Sequence, residues 1–329
     1  MLHISSADVD GRAVRKVIPT GDKMSAFLFP LSCGPIRFES QPELWLDALD
    51  GFWSSVGVRR VSGARAARRI LDAARAGEAL VVWQGTTADD HLLTALLFDT
   101  IRSAGLPPSN IRVLNSESTR PAVTSRAALE TLEVVRAAFS TAAVGTEFTS
   151  EIYSRAWRAW AGSNPMALVD MLFDPKVPSS LVPPLQALLA RYPDSISGLG
   201  RWDLRGLHYV AQHSPNLVRA IGHMLGEVFD CDEDHVGDQW VYWRMRRLAS
   251  ATLAHPLLRF DRDSRAMSGR TVELTSAGRS VLDGEASFIQ LNGLVDDIGG
   301  VSLNYPAEPI WLRDGETLVL HDKPSGSDE

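Results

Sequence analysis

The stretch from residue 237 to 285, GDQWVYWRMRRLASATLAHPLLRFDRDSRAMSGRTVELTSAGRSVLDGE, constrains the fold more than any other part of the chain. Trp240, Trp243, Met245 and Leu248 recur at roughly helical spacing, with Arg244, Arg246 and Arg247 beside them. Asp238, directly after Gly237, is expected to be the N-cap, because its carboxylate can accept from the unpaired amides of the first turn. HPLLRFD and TVELT then flank a charged loop over 262–269, which reads as a β-hairpin. Helix followed by hairpin is the second half of a winged helix. The segment SISGLGRWDLRGLHYVAQ and a helix over 216–228 supply its first half.

The amino-terminal part has a different rhythm. Short apolar runs at 2–5, 24–31, 78–83 and 111–114 alternate with helical patterns at 11–18, 42–53, 64–76 and 88–104. Gly77 stands where a C-cap glycine belongs. Strands separated by helices at this spacing imply parallel pairing through right-handed crossovers. The expectation is an α/β, Rossmann-like front module of about four parallel strands over 1–120. Residues 121–197 follow as a helical bridge, with helices expected at 125–139, 149–161, the NPMALVDMLF segment and 181–192. The winged-helix module with a C-terminal extension covers 198–320, and 321–329 reads as a disordered tail.

A chain of 329 residues exceeds one typical core and suits two domains. No apolar run reaches the ~20 residues that span a bilayer. The opening MLHISSADVD lacks the basic and apolar regions of a signal peptide, so the expected compartment is the cytoplasm, with no membrane partner. Cys33 and Cys231 fall in different modules and suggest no disulfide framework. The formal net charge of −7 argues against wholesale coating of nucleic acid, while leaving room for a local basic face.

Ligands of open parallel sheets bind beyond the carboxyl ends of the strands. Four loops qualify here: Ser5-Ser6-Ala7-Asp8, Ser32-Cys33-Gly34-Pro35, 84–91, and Asn115-Ser116-Glu117. In the third, Gly85, Thr86 and Thr87 precede a helix opening with Asp89, Asp90 and His91. Its amino end can hold an anion, although the plainer reading is that Thr86 or Thr87 caps the helix and the aspartates complement its dipole. Ligand-binding candidates are therefore Asp8, Ser32, Gly34, Gly85, Thr86, Thr87, Asp90 and His91. Asp8 is more simply a helix cap, and Cys33 more simply a small buried hydrophobe than a nucleophile activated by His91. The run from Asp230 to His235 has neither calcium-loop nor zinc spacing and reads as a solvated acidic loop. His208, His213 and His223 read as packing or surface residues. No dinucleotide or phosphate-loop glycine motif is present, and no metal or cofactor is expected.

Several short motifs carry a resemblance. They are Leu2-His3-Ile4, Leu31-Ser32-Cys33-Gly34-Pro35-Ile36, Gly198-Leu199, Gly237-Asp238, Leu274-Thr275-Ser276-Ala277-Gly278, Leu282-Asp283-Gly284-Glu285-Ala286, Leu291-Asn292-Gly293 and Ile298-Gly299-Gly300-Val301. In this pattern, over nearly its whole length, the chain resembles a bacterial family of uncharacterised proteins, the domain of unknown function numbered eighteen thirty-five. The resemblance implies an architecture but no activity. The family's Gly-Asp turn is Ala7-Asp8 here, so a ligand held by that glycine in relatives would lack it.

Two function classes remain. One is a binding or regulatory protein that presents the winged helix to a protein or peptide partner, with DNA a weaker option. Arg244, Arg246, Arg247, Arg262 and Arg265 are the partner-facing candidates. The acidic run before the helix and the aromatic Trp240, Tyr242 and Trp243 count against DNA. The alternative is an enzyme, or a sensor of a small anion, nucleotide or sugar, using the strand-end cleft of the front module. Oligomeric state is not legible.

Overall fold

The structure, a computed structural model, describes all residues except 7–14, 16–17, 37–41, 59–62, 116–141, 232–233, 235, 263–265 and 324–329. Outside the described residues fall Asp8, Ser116, Glu117 and Arg265, nearly all of the helix expected over 11–18, the whole of that over 125–139, and most of the tail.

The front sheet has the order β2-β1-β3-β4-β5, built from β1 (Leu2–Ser6), β2 (Lys23–Phe27), β3 (Leu80–Gln84), β4 (Ile111–Asn115) and β5 (Ala143–Val144). The first four strands pair in parallel, with Leu2 opposite both Lys23 and Leu80, and Leu80 opposite Ile111. The fifth is antiparallel, so the sheet is mixed rather than wholly parallel. β1 and β3 are buried along their full length, as central strands of such a sheet are, although β1 carries the polar His3, Ser5 and Ser6. β2 ends at Phe27, short of the expected Leu31, because Pro30 cannot extend a strand ladder. From β1 the chain goes to β2 on one side and returns to β3 on the other, which sets the topological switch between β1 and β3.

Helices α1 (Pro42–Val56) and α2 (Gly63–Arg75) connect β2 to β3, and α3 (Ala88–Ser103) connects β3 to β4. Gly77 ends α2 with φ +73°, where a side chain would be strained. Then come α4 (Glu147–Ala161), α5 (Met166–Leu172) and α6 (Val182–Leu189). α4 starts earlier than expected because Thr146 caps it, accepting from the amide of Thr149 at 3.1 Å.

In the rear part, α7 (Arg201–His213), α8 (Leu217–Cys231) and α9 (Asp238–Leu248) precede a two-stranded hairpin of β6 (Leu258–Phe260) and β7 (Val272–Leu274). The hairpin packs on α9: the Tyr242 and Phe260 rings meet edge to face at 6.0 Å, and the Leu257 amide donates to Leu248 O at 2.8 Å. The N-cap of α9 is Gly237, not Asp238. The Asp238 carboxylate instead accepts from the adjacent Gln239 amide, within the first turn. Helices α10 (Ser276–Leu282) and α11 (Phe288–Asn292) lead to two further antiparallel hairpins, β8 (Leu294–Ile298) with β9 (Val301–Tyr305) and β10 (Ile310–Asp314) with β11 (Thr317–His321).

The buried apolar residues form one contiguous cluster that runs from Leu2 and Ile4 in the first strand to Leu312 and Leu318 in the last hairpin. The front and rear parts therefore share a core. Among the described residues no helix is long and apolar enough to cross a membrane.

Candidate ligand site at the junction of the sheet and the aromatic helix

The strand-end loops at the switch point are occupied by their own side chains. Thr87 caps α3 in a reciprocal capping box: its hydroxyl accepts from the Asp90 amide at 3.2 Å, and the Asp90 carboxylate accepts from the Thr87 amide at 3.2 Å. The same carboxylate accepts from the Thr87 hydroxyl at 2.7 Å and from the Ser6 hydroxyl at the end of β1. A Cβ on Gly85 would overlap the Asp90 carboxylate, which explains that glycine. His91 is buried against Tyr153, with Nδ1 3.4 Å from the phenol oxygen, and burial pushes it down to about 4, so it is neutral. Gly85, Thr87, Asp90 and His91 therefore lock β1 to α3, and the capping reading describes them. The Thr86 hydroxyl oxygen is buried with no hydrogen-bond partner among the described residues.

The second loop, after β2, leads elsewhere. The Ser32 amide donates to Asp89 at 2.7 Å, and the Ser32 hydroxyl accepts from Nη2 of Arg191 at 3.2 Å. Arg191 follows α6 and is buried, with 5% of its side chain exposed. Its counter-ion is Asp234, 1% exposed, which accepts from Nη2 and also from the Trp202 indole nitrogen at 2.7 Å. Burial opposes the charge of the guanidinium more strongly than any other single influence, but the Asp234 carboxylate, Cys33 and Asp89 together outweigh it and raise its affinity for the proton. Nε and Nη1 of Arg191 are buried without a hydrogen-bond partner among the described residues. The guanidinium carbon lies 5.0 Å from the centre of the Trp240 ring and 6.0 Å from that of Trp202.

Beside this group stands a second buried ion cluster. Arg244 of α9 donates from Nε to Asp203 of α7 at 2.9 Å and from Nη1 to Asp296 of β8. Arg247 donates to the other oxygen of Asp296 at 2.8 Å and lies over Trp243, 4.9 Å from the ring centre. Burial alone would raise the Asp296 pKa; the guanidinium groups of Arg244 and Arg247 override that and hold it below the ordinary carboxylate range. Two cavities flank the cluster. The first, about 220 Å³, is bounded by Ser32, Cys33, Gly34, Phe52, Trp202 and Trp243 together with Arg191 and Arg244. The second, about 370 Å³, continues past Gly198, Leu253, Phe288, Asn292 and Tyr305. Arg191, Asp203, Arg244 and Asp296 line both. Gly34 (φ +89°) lets Phe52 close over the first cavity, since a Cβ there would lie 2.6 Å from the ring.

Of the ligand candidates read from the sequence, Ser32 and Gly34 reach this site. Of the partner-facing arginines, Arg244 and Arg247 turn inward to it, Arg246 borders a separate groove of about 780 Å³ beside the hairpin, and Arg262 is exposed with Asp261 3.8 Å away. The solvated reading of the acidic run fails at Asp234, because the buried Arg191 needs a counter-charge. Cys33 lines the cavity, but burial pushes its thiol up to about 12 against the pull of Arg191, which leaves almost no thiolate to act as a nucleophile. Arg191, Asp203 and Asp296 escaped the sequence reading. A local signal existed for one of them: Arg191 directly follows the largely apolar run LQALLA. Among the described residues no group of three or more His, Cys, Asp and Glu could hold a metal ion. Family models compared with the chain give no match, and no curated protein matches it.

Proposed function

We propose that the protein is a small-ligand-binding regulatory protein whose ligand presents an oxygen acceptor to Arg191 in the junction cavity. One observation carries this reading: a buried guanidinium lining two cavities with its Nε and Nη1 groups unmatched. An unsatisfied buried donor costs on the order of 1–3 kcal/mol, and more when charged, so an oxygen that meets those groups gains what the free protein forgoes. Binding is favoured over catalysis because the described lining of the first cavity contains no histidine and its thiol is held protonated. Regulation is proposed because the same network runs from Asp89 at the start of α3, through Ser32 and Arg191, to Asp234 and the α7 indole. A thermal-shift screen of small carboxylates and inorganic phosphate tests it. Acids are expected to raise the melting temperature of the native chain, and Arg191→Lys, which keeps the charge but loses the planar fork, to abolish the shift. No shift at millimolar concentration, or an equal shift in Arg191→Lys, overturns the reading.

A docking role for the rear part is a second reading, favoured by its order of elements. Three helices precede the hairpin, and the turn between α7 and α8 pairs with β7, where Asn216 bridges Thr271 and the Val272 amide donates to Pro215 O at 3.1 Å. We read this order as a winged helix facing a protein or peptide. The inward turn of Arg244 and Arg247 weighs against DNA. We also retain, as a proposal, the kinship with the domain of unknown function numbered eighteen thirty-five, and a cytoplasmic location.

A further inference from the structure

Resting on the oxygen-acceptor reading of Arg191, we infer that the ligand class is a small aromatic monocarboxylate: one planar ring, or two fused rings, bearing a single negative charge. Three features of the junction narrow the class. The first is charge. Asp234 already opposes Arg191, and Asp203 and Asp296 already oppose Arg244 and Arg247. A dianionic phosphate would enter a wall whose cations are matched and whose aspartates repel it, whereas one carboxylate adds a single charge and meets the unmatched N–H groups. Nη2 is the nitrogen shared by the two donor edges of a guanidinium, and it is engaged by Asp234 and Ser32. The hydrogen of Nε and those of Nη1 are left without a partner among the described residues, so a ligand oxygen bound to either would leave the Asp234 pairing in place.

The second feature is shape and surface. At about 220 Å³ the first cavity is smaller than the roughly 300–1,000 Å³ of drug-sized ligand sites. Phe52, Trp202, Trp240 and Trp243 surround it. Their rings are fixed edge to face in pairs, Phe52 with Trp243 at 5.3 Å and Trp202 with Trp240 at 6.3 Å. Paired aromatic walls of this kind receive a flat ring by offset stacking or edge contact and gain about 0.5–1.5 kcal/mol per ring pair beyond area burial. The third feature is the partition. The Arg244–Asp296 pair separates the small aromatic cavity from the larger one, so the acid seats its ring on the Phe52–Trp243 side and its carboxylate against Arg191.

Isothermal titration calorimetry on the full chain at pH 7 tests the class with matched probes. Benzoate and indole-3-carboxylate are expected to bind at least tenfold tighter than cyclohexanecarboxylate and acetate, and inorganic phosphate to bind more weakly than benzoate. Trp243→Leu, at a partly exposed position, is expected to weaken benzoate and indole-3-carboxylate severalfold more than acetate, narrowing the preference for the aromatic acids. Arg191→Lys is expected to weaken every acid. Equal affinity for benzoate and cyclohexanecarboxylate, or phosphate binding tightest, overturns the aromatic class while leaving the acceptor reading of Arg191 standing. No binding by any probe overturns both. Should Arg191→Lys fail to fold, Trp243→Leu and the probe series still decide the matter.

Discussion

His91 shows how a single buried side chain ties this fold to pH. An unfolded histidine titrates near 6.5, and burial against Tyr153 brings the folded value to about 4. Between those two values the unfolded chain binds a proton that the folded chain refuses. Stability is therefore fully present above pH 6.5 and is lost as pH falls toward 4, by up to roughly 3 kcal/mol for a group this deeply buried. His91→Gln is expected to flatten that part of the pH profile, as read by urea unfolding at pH 7.5, 6 and 5. A shallow residual slope remains from His3, whose pKa burial also lowers. Coincident slopes for the two proteins would remove the assignment. The residues that escaped the sequence reading were hidden for a related reason. Asp234 finds Arg191 across 43 positions of chain and Asp296 finds Arg244 across 52, whereas local periodicity reports only neighbours within a few residues. Thr87 and Asp90, three residues apart in a capping box, were legible because their partnership is local.

Among the elements, the hairpin of β8 and β9 supplies Asp296 to the junction, and its turn is what anchors it. The Gly300 amide donates to Trp160 O at the end of α4 at 2.9 Å, Ile36 donates to Gly299 O at 2.8 Å, and the Trp160 indole donates to Leu31 O at 2.8 Å. A Cβ on Gly300 would overlap the backbone carbonyls of Ala161 and Gly162, which no rotamer change can relieve. Gly300→Ala is expected to destabilise the protein by roughly 1–3 kcal/mol, the usual cost of overpacking. Gly222→Ala, on an open face of α8 with nothing within 4 Å, is expected to stabilise it by about 0.5–1 kcal/mol. Chemical denaturation of the two variants beside the parent measures both signs, and a neutral Gly300→Ala would show that the turn is free to move. The helix-then-hairpin order of the rear part could be read from the sequence because its period changes within one stretch. The last two hairpins are harder to read: each has a tight glycine turn, Gly299-Gly300 and Gly315-Glu316, but strands such as LVDDI and IWLRD do not alternate apolar with polar residues.

For the molecule as a whole, the basic excess around α9 was the main sequence argument for a nucleic-acid partner, and packing redirects it. Arg244 is spent on Asp203 and Asp296, Arg247 on Asp296, Arg270 on Asp261 and Arg259 on Glu273. The Arg244 and Arg247 pairs join α7, α9 and β8 around one core, while the Arg270 and Arg259 pairs stay within the β6–β7 hairpin, the latter exposed, in a chain of net charge −7. An arginine held this way contributes to stability and ligand geometry rather than to phosphate contact. Arg244→Ala is therefore expected to cost on the order of 3–5 kcal/mol, because it strands buried carboxylates, while leaving unchanged the salt at which the protein leaves a heparin or random-duplex column. Arg262→Ala, at an exposed position on the hairpin loop, is expected to leave both stability and elution unchanged. Were Arg262→Ala or Arg246→Ala to lower the eluting salt, phosphate contacts would exist at the wing, and the rear part would be a nucleic-acid reader after all. A stability loss confined to Arg244→Ala, with elution flat across the set, places the work of these arginines inside the junction.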